Sequence, residues 1–151
     1  MIDAIDKEIL RTLQNDGRMS ATALAAEIGL TVAPCHRRLK DLEGSGVISG
    51  YRAIVDPVAV GLGFEALVFV SLAQVDRATI DEFEAEVSGN RRITSAQRLF
   101  GDPDYILKVV TKDLDDYQKF YDTELTSLPG VLRLRSTLVM KNLKPSAGLP
   151  L

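Results

Sequence analysis

The chain has 151 residues, 46% hydrophobic and 26% charged, with a formal net charge of -3, one histidine and one cysteine. That composition suits one medium domain or two small ones with a buried core. It excludes an internal disulfide, contains no run of roughly 18 apolar residues for a membrane span, and leaves too few Cys and His for the familiar zinc sites in a monomer.

The opening MIDAIDKEIL is acidic and amphipathic, without the basic region and apolar block of a signal peptide, so a cytoplasmic location is expected. From Asp3 to Asp16, Ile5, Ile9 and Leu13 recur at helical spacing with Ile2 and Leu10 beside them, which predicts a helix with one buried stripe. Gly17 stops it. Ser20 is placed to cap a second, shorter helix through Glu27, with Leu24 and Ile28 inward and Gly29 at its end.

Thr31 reads as the next N-cap, and Val32, Cys35, Leu39 and Leu42 fall on one face of a third helix. Pro34 lies in its first turn, where a missing N–H is tolerated. Gly44 and Gly46 close the helix. VISGYRAIVD then reads as a β-hairpin around Ser49-Gly50, with Tyr51 and Arg52 on the return strand. Three helices and a hairpin make a winged helix-turn-helix over residues 1–56.

Asp56-Pro57 and the glycines of VAVGLGF mark a linker over residues 57–63, before a second domain over 64–151. There FEALVFVSLAQV predicts a strand, ATIDEFEAEV a helix carrying Ile80, Phe83 and Val87, and RITSAQRLF a second strand. The order then repeats. YILKVVT is a strand, DLDDYQKFYDTEL a helix with Leu114, Tyr117, Phe120, Tyr121 and Leu125 inward, and VLRLRSTLVM the last strand. Two β-α-β halves give an α+β chain whose second domain is ferredoxin-like, βαββαβ, with both helices on one sheet face. Leu67 and Phe69 point to the other face, and a second copy of the same sheet is the expected cover.

The basic cluster of an acidic chain sits on the third helix. With Cys35 in the core stripe, Thr31, Ala33, Pro34, His36, Arg37, Lys40 and Arg38 are expected on the outward side. The second helix of a helix-turn-helix enters the major groove, where guanidinium groups meet guanine edges and phosphates. Local positive charge is then required on this helix while net acidity restrains non-specific binding. The plain alternative is a solvated helix face. His36 is open to three readings: a surface imidazole, a contact to DNA, or a general base, though no nucleophile or carboxylate is placed to support the last. Arg52 reads as a phosphate contact from the wing, and Arg18 as a weaker one.

These residues resemble the Lrp/AsnC, or feast/famine, family of transcription regulators. IDKEILRTLQNDGRMS is similar to the family's opening helix and turn, LTVAPCHRRLKDLEGSGVISGY to its recognition helix and wing, and FGDPDYILKVV, LPGV and RSTLVMKNLK to its ligand-sensing domain. The likeness covers nearly the whole chain. It implies double-stranded DNA as partner, with contacts from Thr31, Pro34, His36, Arg37, Arg38 and Lys40. It also implies a homodimer assembling further, to an octamer in the family pattern.

By the same resemblance a free amino acid is the effector and no other cofactor is expected. It would bind at subunit interfaces beside Gly101, Asp102 and Asp104, with Arg98, Leu99, Phe100, Ser136, Thr137 and Leu138 nearby. In physical terms the two carboxylates suit an α-ammonium, and Gly101 lets backbone approach a ligand. From the residues alone a tight strand-connecting turn explains GDPDY equally well. Pro103 departs from many relatives and bears on loop stiffness and effector choice. Rival functions are a small metabolic enzyme using Asp102 and Asp104 as an acid and base pair, and an effector-binding assembly subunit. No Gly-rich phosphate loop and no GxSxG motif accompanies the enzyme reading.

Overall fold

The computed structural model describes residues 1–144 and 147–151. It divides into two compact units, one of Met1–Ile54 with Leu143–Leu151 and one of Val55–Asn142.

In the first unit, α1 (Ala4–Asn15) begins at Asp3, whose carboxylate accepts the Asp6 N–H while the Asp6 carboxylate accepts the Asp3 N–H, a reciprocal capping box. Ser20 caps α2 (Ala21–Glu27) by accepting the Ala23 N–H. Gly29 then turns the chain with φ +72°, a conformation that costs a residue with a Cβ, and α3 (Val32–Gly44) follows. Ile9, Leu24, Ala25, Cys35 and Leu42 form the core of this unit.

The expected hairpin after α3 does not form: residues 47–56 carry no strand. A lone two-stranded ribbon is marginal in water, and this segment finds better partners on the helices. The Ile48 N–H donates to the Leu42 carbonyl, and the Tyr51 hydroxyl donates to Glu43 at 3.0 Å. The wing is thus an irregular strap held through Ile48 and Tyr51.

The chain's last residues also differ from expectation, since Leu143–Leu151 group with the helical unit and not with the sheet. Arg11 donates twice to the Leu151 carbonyl, at 3.0 and 2.7 Å, and Gln14 donates to the Leu149 carbonyl at 3.2 Å. Otherwise unpaired carbonyls of the tail are satisfied by α1 side chains.

In the second unit, β1 (Phe64–Leu72), α4 (Arg77–Gly89), β2 (Ile93–Arg98), β3 (Tyr105–Thr111), α5 (Leu114–Thr123) and β4 (Val131–Leu138) give the expected ferredoxin-like order. The strands pair antiparallel as β2-β3-β1-β4. Asp76 and Asp113 cap the two helices through the N–H groups of Thr79 and Asp116. Period-two burial along β1 and β3 sends Ala66, Val68, Val70, Leu72, Leu107 and Val109 against Phe83 and Phe120. Leu67, Phe69, Ile106 and Val110 alternate with them on the opposite, half-buried face.

Three helix stripes are shorter than their spacing predicts: Ile5, Val32 and Leu114 are 37%, 46% and 56% exposed. Each stands in the first turn of its helix, at the edge of the packed layer.

Candidate nucleic-acid interface and effector clefts

On α3 the stripe of Cys35 and Leu42 is buried and Leu39 partly so, which fixes the helix's rotation about its axis. Burial raises the Cys35 thiol above its usual range, keeping it a neutral core group. At 3.6 residues per turn, Arg37 stands about 200° around the helix from Cys35, on the far side from the core. Thr31, Ala33, Pro34, His36, Arg37 and Lys40 are all exposed. Thr31 makes no capping hydrogen bond, so its hydroxyl is not spent on the helix. Arg37 enters no ion pair among the described residues. Lys40 reaches Glu43 at 3.2 Å, and that contact, with the Tyr51 hydroxyl, holds the Glu43 carboxyl below its ordinary range. Arg52 is exposed on the strap.

Arg38 corrects the expectation of an outward side chain. It lies about 60° of helix rotation from the buried stripe, on the side facing α1. Its Nη1 donates to Asp3 at 2.7 Å and to Asp6 at 2.8 Å, and the Asp6 side chain is only 12% exposed. The Asp6 N–H first, then the Arg38 guanidinium, hold the Asp3 carboxyl below the usual carboxylate range. Asp3 and Asp6 were not singled out in the sequence; their spacing as a capping box ahead of an apolar run is the signal that marks them.

In the sheet unit, the β2–β3 connection is fastened to the end of β1. The Leu99 N–H donates to the Asp104 carbonyl, the Asp104 N–H to Val70, and the Asp104 carboxylate accepts the Leu72 N–H at 2.7 Å. Asp104 is thus partly spent on the loop. Gly101 has φ +150°, which favours glycine, and the Asp102–Pro103 peptide is cis. The N–H groups of Phe100, Gly101 and Asp102 have no main-chain acceptor among the described residues.

Two clefts flank this loop and share no lining residue. One, of about 260 Å³, gathers Arg98, Leu99, Phe100, Gly101 and Asp104 with Leu72, Val75 and Tyr105. Its apolar rim is open to solvent: Val75 is 61% exposed and Phe100 projects fully. Tyr105, beneath it, donates to Glu84 at 2.7 Å; burial, then that carboxylate, pushes its hydroxyl up to about 12. Arg98 also approaches Glu84, at 3.6 Å.

The other cleft, of about 240 Å³, is lined by Asp102 with Phe69, Ser71, Pro103, Arg133 and Arg135. Asp102 therefore parts company with Asp104, and no acid and base pair is assembled from the two.

Ser136, Thr137 and Leu138 are not brought to the loop within one chain. They pair with Val68, Leu67 and Ala66, whereas the loop springs from the Val70 end of β1. Ser136 instead hydrogen-bonds the Tyr117 hydroxyl on the helix side. Arg133 and Arg135, which sequence reasoning passed over, become visible only once β4 is known to pair with β1: Ser71 faces Arg133 and Phe69 faces Arg135. Among the described residues no group of three metal-ligating side chains gathers, and no helix is long and apolar enough to cross a membrane.

Two family models match the chain. Residues 65–149 match the Lrp/AsnC ligand binding domain and residues 2–49 a winged helix-turn-helix DNA-binding domain. The DNA-binding transcriptional activator DecR of Escherichia coli K12 is 33% identical over 100% of this chain and 99% of its own. A transcriptional regulator of Neisseria meningitidis, solved as its L-Met complex, superposes with a TM-score of 0.94 at 33% identity, covering 99% of this chain and 97% of that one. A feast or famine regulatory protein of M. tuberculosis complexed with L-methionine superposes with a TM-score of 0.85 at 28% identity over 95% of each chain.

Proposed function

This chain belongs to the Lrp/AsnC family of transcriptional regulators, and on that footing we propose that it is a sequence-specific DNA-binding regulator, acting in the cytoplasm, whose activity is set by a free amino acid. The observation that carries the reading is the phase of α3: its core stripe leaves His36, Arg37 and Lys40 on a rigid, exposed, basic face. Thr31 and Pro34 stand at the N-terminal end of that helix, the end a helix-turn-helix presents to base edges, and Arg52 suits a flanking phosphate. Relatives bearing the same two domains are named as transcription regulators, not enzymes.

The effector we assign to the cleft beside Arg98–Asp104. Its exposed apolar rim of Leu99, Phe100 and Val75 suits an apolar side chain, the free N–H groups of Phe100–Asp102 suit an α-carboxylate, and the solved relatives bind L-methionine. Asp104 fixes the loop that makes this cleft. Asp104→Ala is expected to weaken L-methionine binding about tenfold or more, since it leaves the Leu72 N–H without its acceptor. DNA binding without effector stays at the wild-type level. Calorimetry giving wild-type methionine affinity in that variant would refute the assignment.

The half-buried apolar face of Leu67, Phe69, Ile106 and Val110 is the surface we assign to a two-fold dimer. Leu67→Asp combined with Ile106→Asp is expected to halve the mass of the assembly unit in sedimentation while far-UV circular dichroism is unchanged. A wild-type mass in the double variant would place the dimer contact elsewhere. A dimer presents two α3 helices to half-sites about 34 Å apart, and an amino acid alters that arrangement only by binding two arrangements with different affinity.

The test of the whole reading is to mix the purified protein with fragments of its own upstream region, with and without a panel of amino acids, and follow mobility and mass together. Selective retardation at moderate salt that changes with an amino acid is the expected result. Equal binding to all fragments, abolished by salt, would overturn it.

A further inference from the structure

A carboxylate stands on the basic face of α3, where it repels phosphate. At about 100° per residue, His36, Lys40 and Glu43 fall within about 60° of one another around the helix. One Glu43 oxygen accepts from the Lys40 ammonium at 3.2 Å and the other from the Tyr51 hydroxyl at 3.0 Å. Its side chain is 30% exposed, against 63% for Lys40. A group with both oxygens engaged and most of its surface covered is held in one direction, and it holds its two donors in turn.

Tyr51 extends that restraint to the strap. Its ring lies beside Gly17, just beyond the end of α1, where a methyl group in place of the glycine hydrogen would stand 3.4 Å from Cδ1. Tyr51 is thus pinned between α3 and the turn that follows α1, and the exposed Arg52 is the next residue along. No strand fixes residues 47–56, so the Tyr51 hydroxyl is the anchor nearest to Arg52 among the described hydrogen bonds.

Glu43 does not read bases itself. It lies 12 residues after Thr31, about 18 Å along the axis at 1.5 Å per residue, whereas a recognition helix meets base edges with its N-terminal residues. Its effect passes through two cations. An ion pair within the protein competes with the phosphates of every duplex, while a lysine and an arginine already aimed gain only where base contacts fix the register.

We propose that Glu43 is a positioning residue that sets how far this protein prefers its operator to other DNA, by restraining Lys40 directly and Arg52 through Tyr51. This role rests on α3 facing DNA, and it assigns part of the specificity of that face to an anion.

Glu43→Gln separates the two restraints, because a carboxamide oxygen still accepts from Tyr51 while the charge that holds Lys40 is gone. Fluorescence anisotropy of the full-length assembly reads the first, with the most selectively retarded upstream fragment and a mixed-sequence duplex of equal length. In Glu43→Gln, affinity for mixed sequence is expected to rise about two- to fivefold, the size of one exposed ion pair, with a salt slope steeper by about one unit. Operator affinity rises less, so the ratio of the two falls about twofold. Lys40→Ala then costs more in the Glu43→Gln background than in wild type, a coupling that a purely structural role for Glu43 would not produce.

Hydrogen exchange without DNA reads the second restraint. Amides of residues 47–56 are expected to exchange about three- to tenfold faster in Glu43→Ala and Tyr51→Phe, and at the wild-type rate in Glu43→Gln. An operator ratio at or above wild type in Glu43→Gln overturns the proposal, as does an equal cost of Lys40→Ala in both backgrounds. Wild-type exchange of the strap in Tyr51→Phe overturns it too, and that variant decides alone if Glu43→Ala does not fold. Selective DNA binding by wild type together with any of these results fails Glu43 and leaves α3 assigned. A wild-type protein that retards no fragment selectively fails the assignment of α3 itself, and Glu43 with it.

Discussion

Arg37→Ala is expected to lower operator affinity about ten- to a hundredfold at moderate salt, and to flatten the dependence of log affinity on log salt by about one unit for each arginine that contacts phosphate. The expectation follows from position and from pairing. Arg37 is the charged α3 residue turned most directly away from Cys35, and it forms no ion pair with a carboxylate among the described residues. Lys40, by contrast, is already near Glu43, so part of its attraction to phosphate is spent within the protein. Lys40→Ala should therefore cost less than Arg37→Ala. Fluorescence anisotropy across a salt series, with sedimentation to verify the assembly, measures both. If Arg37→Ala leaves affinity and salt slope unchanged, α3 does not face DNA as proposed. If only the slope changes while discrimination between operator and mixed sequence survives, Arg37 contacts phosphate and base reading falls to Thr31, Pro34 or His36.

Much of this arrangement was legible in the sequence because periodicity reports burial directly. Alternation along Phe64–Leu72 and the 3.6-residue stripes of α1, α4 and α5 placed Val68, Ile9, Phe83 and Phe120 correctly, and the capping role of Ser20 follows from residue type and position. What was not legible depends on partners distant in sequence. The loop GDPDY was visible, but its two carboxylates separate into different clefts because Asp104 turns back to the Leu72 N–H, a bond set by the register of β1 against β3. Arg133 and Arg135 gain meaning only beside Ser71 and Phe69, across a β4–β1 pairing interrupted by a bulge at Ser71/Leu72. The hairpin expected at Ser49-Gly50 had the turn residues and the β-rich flanks. It lost to two contacts that sequence pattern does not report, Tyr51 with Glu43 and Ile48 with Leu42.

Arg38 is the residue whose role changes most between pattern and structure, and Arg38→Met separates the two. A side chain at the edge of a core stripe is ambiguous in phase; here Asp3 and Asp6 decide it by offering two carboxylate oxygens at 2.7 and 2.8 Å. The guanidinium ties the start of α1 to the middle of α3, so it is a positioning residue for the helix proposed to read DNA. Without it the Asp6 carboxylate, 12% exposed, keeps only the Asp3 N–H and faces a second carboxylate.

Arg38→Met is expected to lower the thermal midpoint by several degrees and to weaken binding to operator and mixed sequence alike, with the salt slope preserved. Pairing it with Asp6→Asn should cost less than the two single changes added, as contacting partners do in a double-mutant cycle. The pH dependence has a definite sign. The Asp3 carboxyl is depressed when folded, so its contribution is complete above the ordinary value of 3.8 and is lost as pH falls through the depressed one. The stability gap between wild type and Arg38→Met is then constant through neutral pH and closes only in acid. A salt slope that drops in Arg38→Met as far as in Arg37→Ala, with an unchanged midpoint, would return Arg38 to the phosphate backbone and remove the clamp.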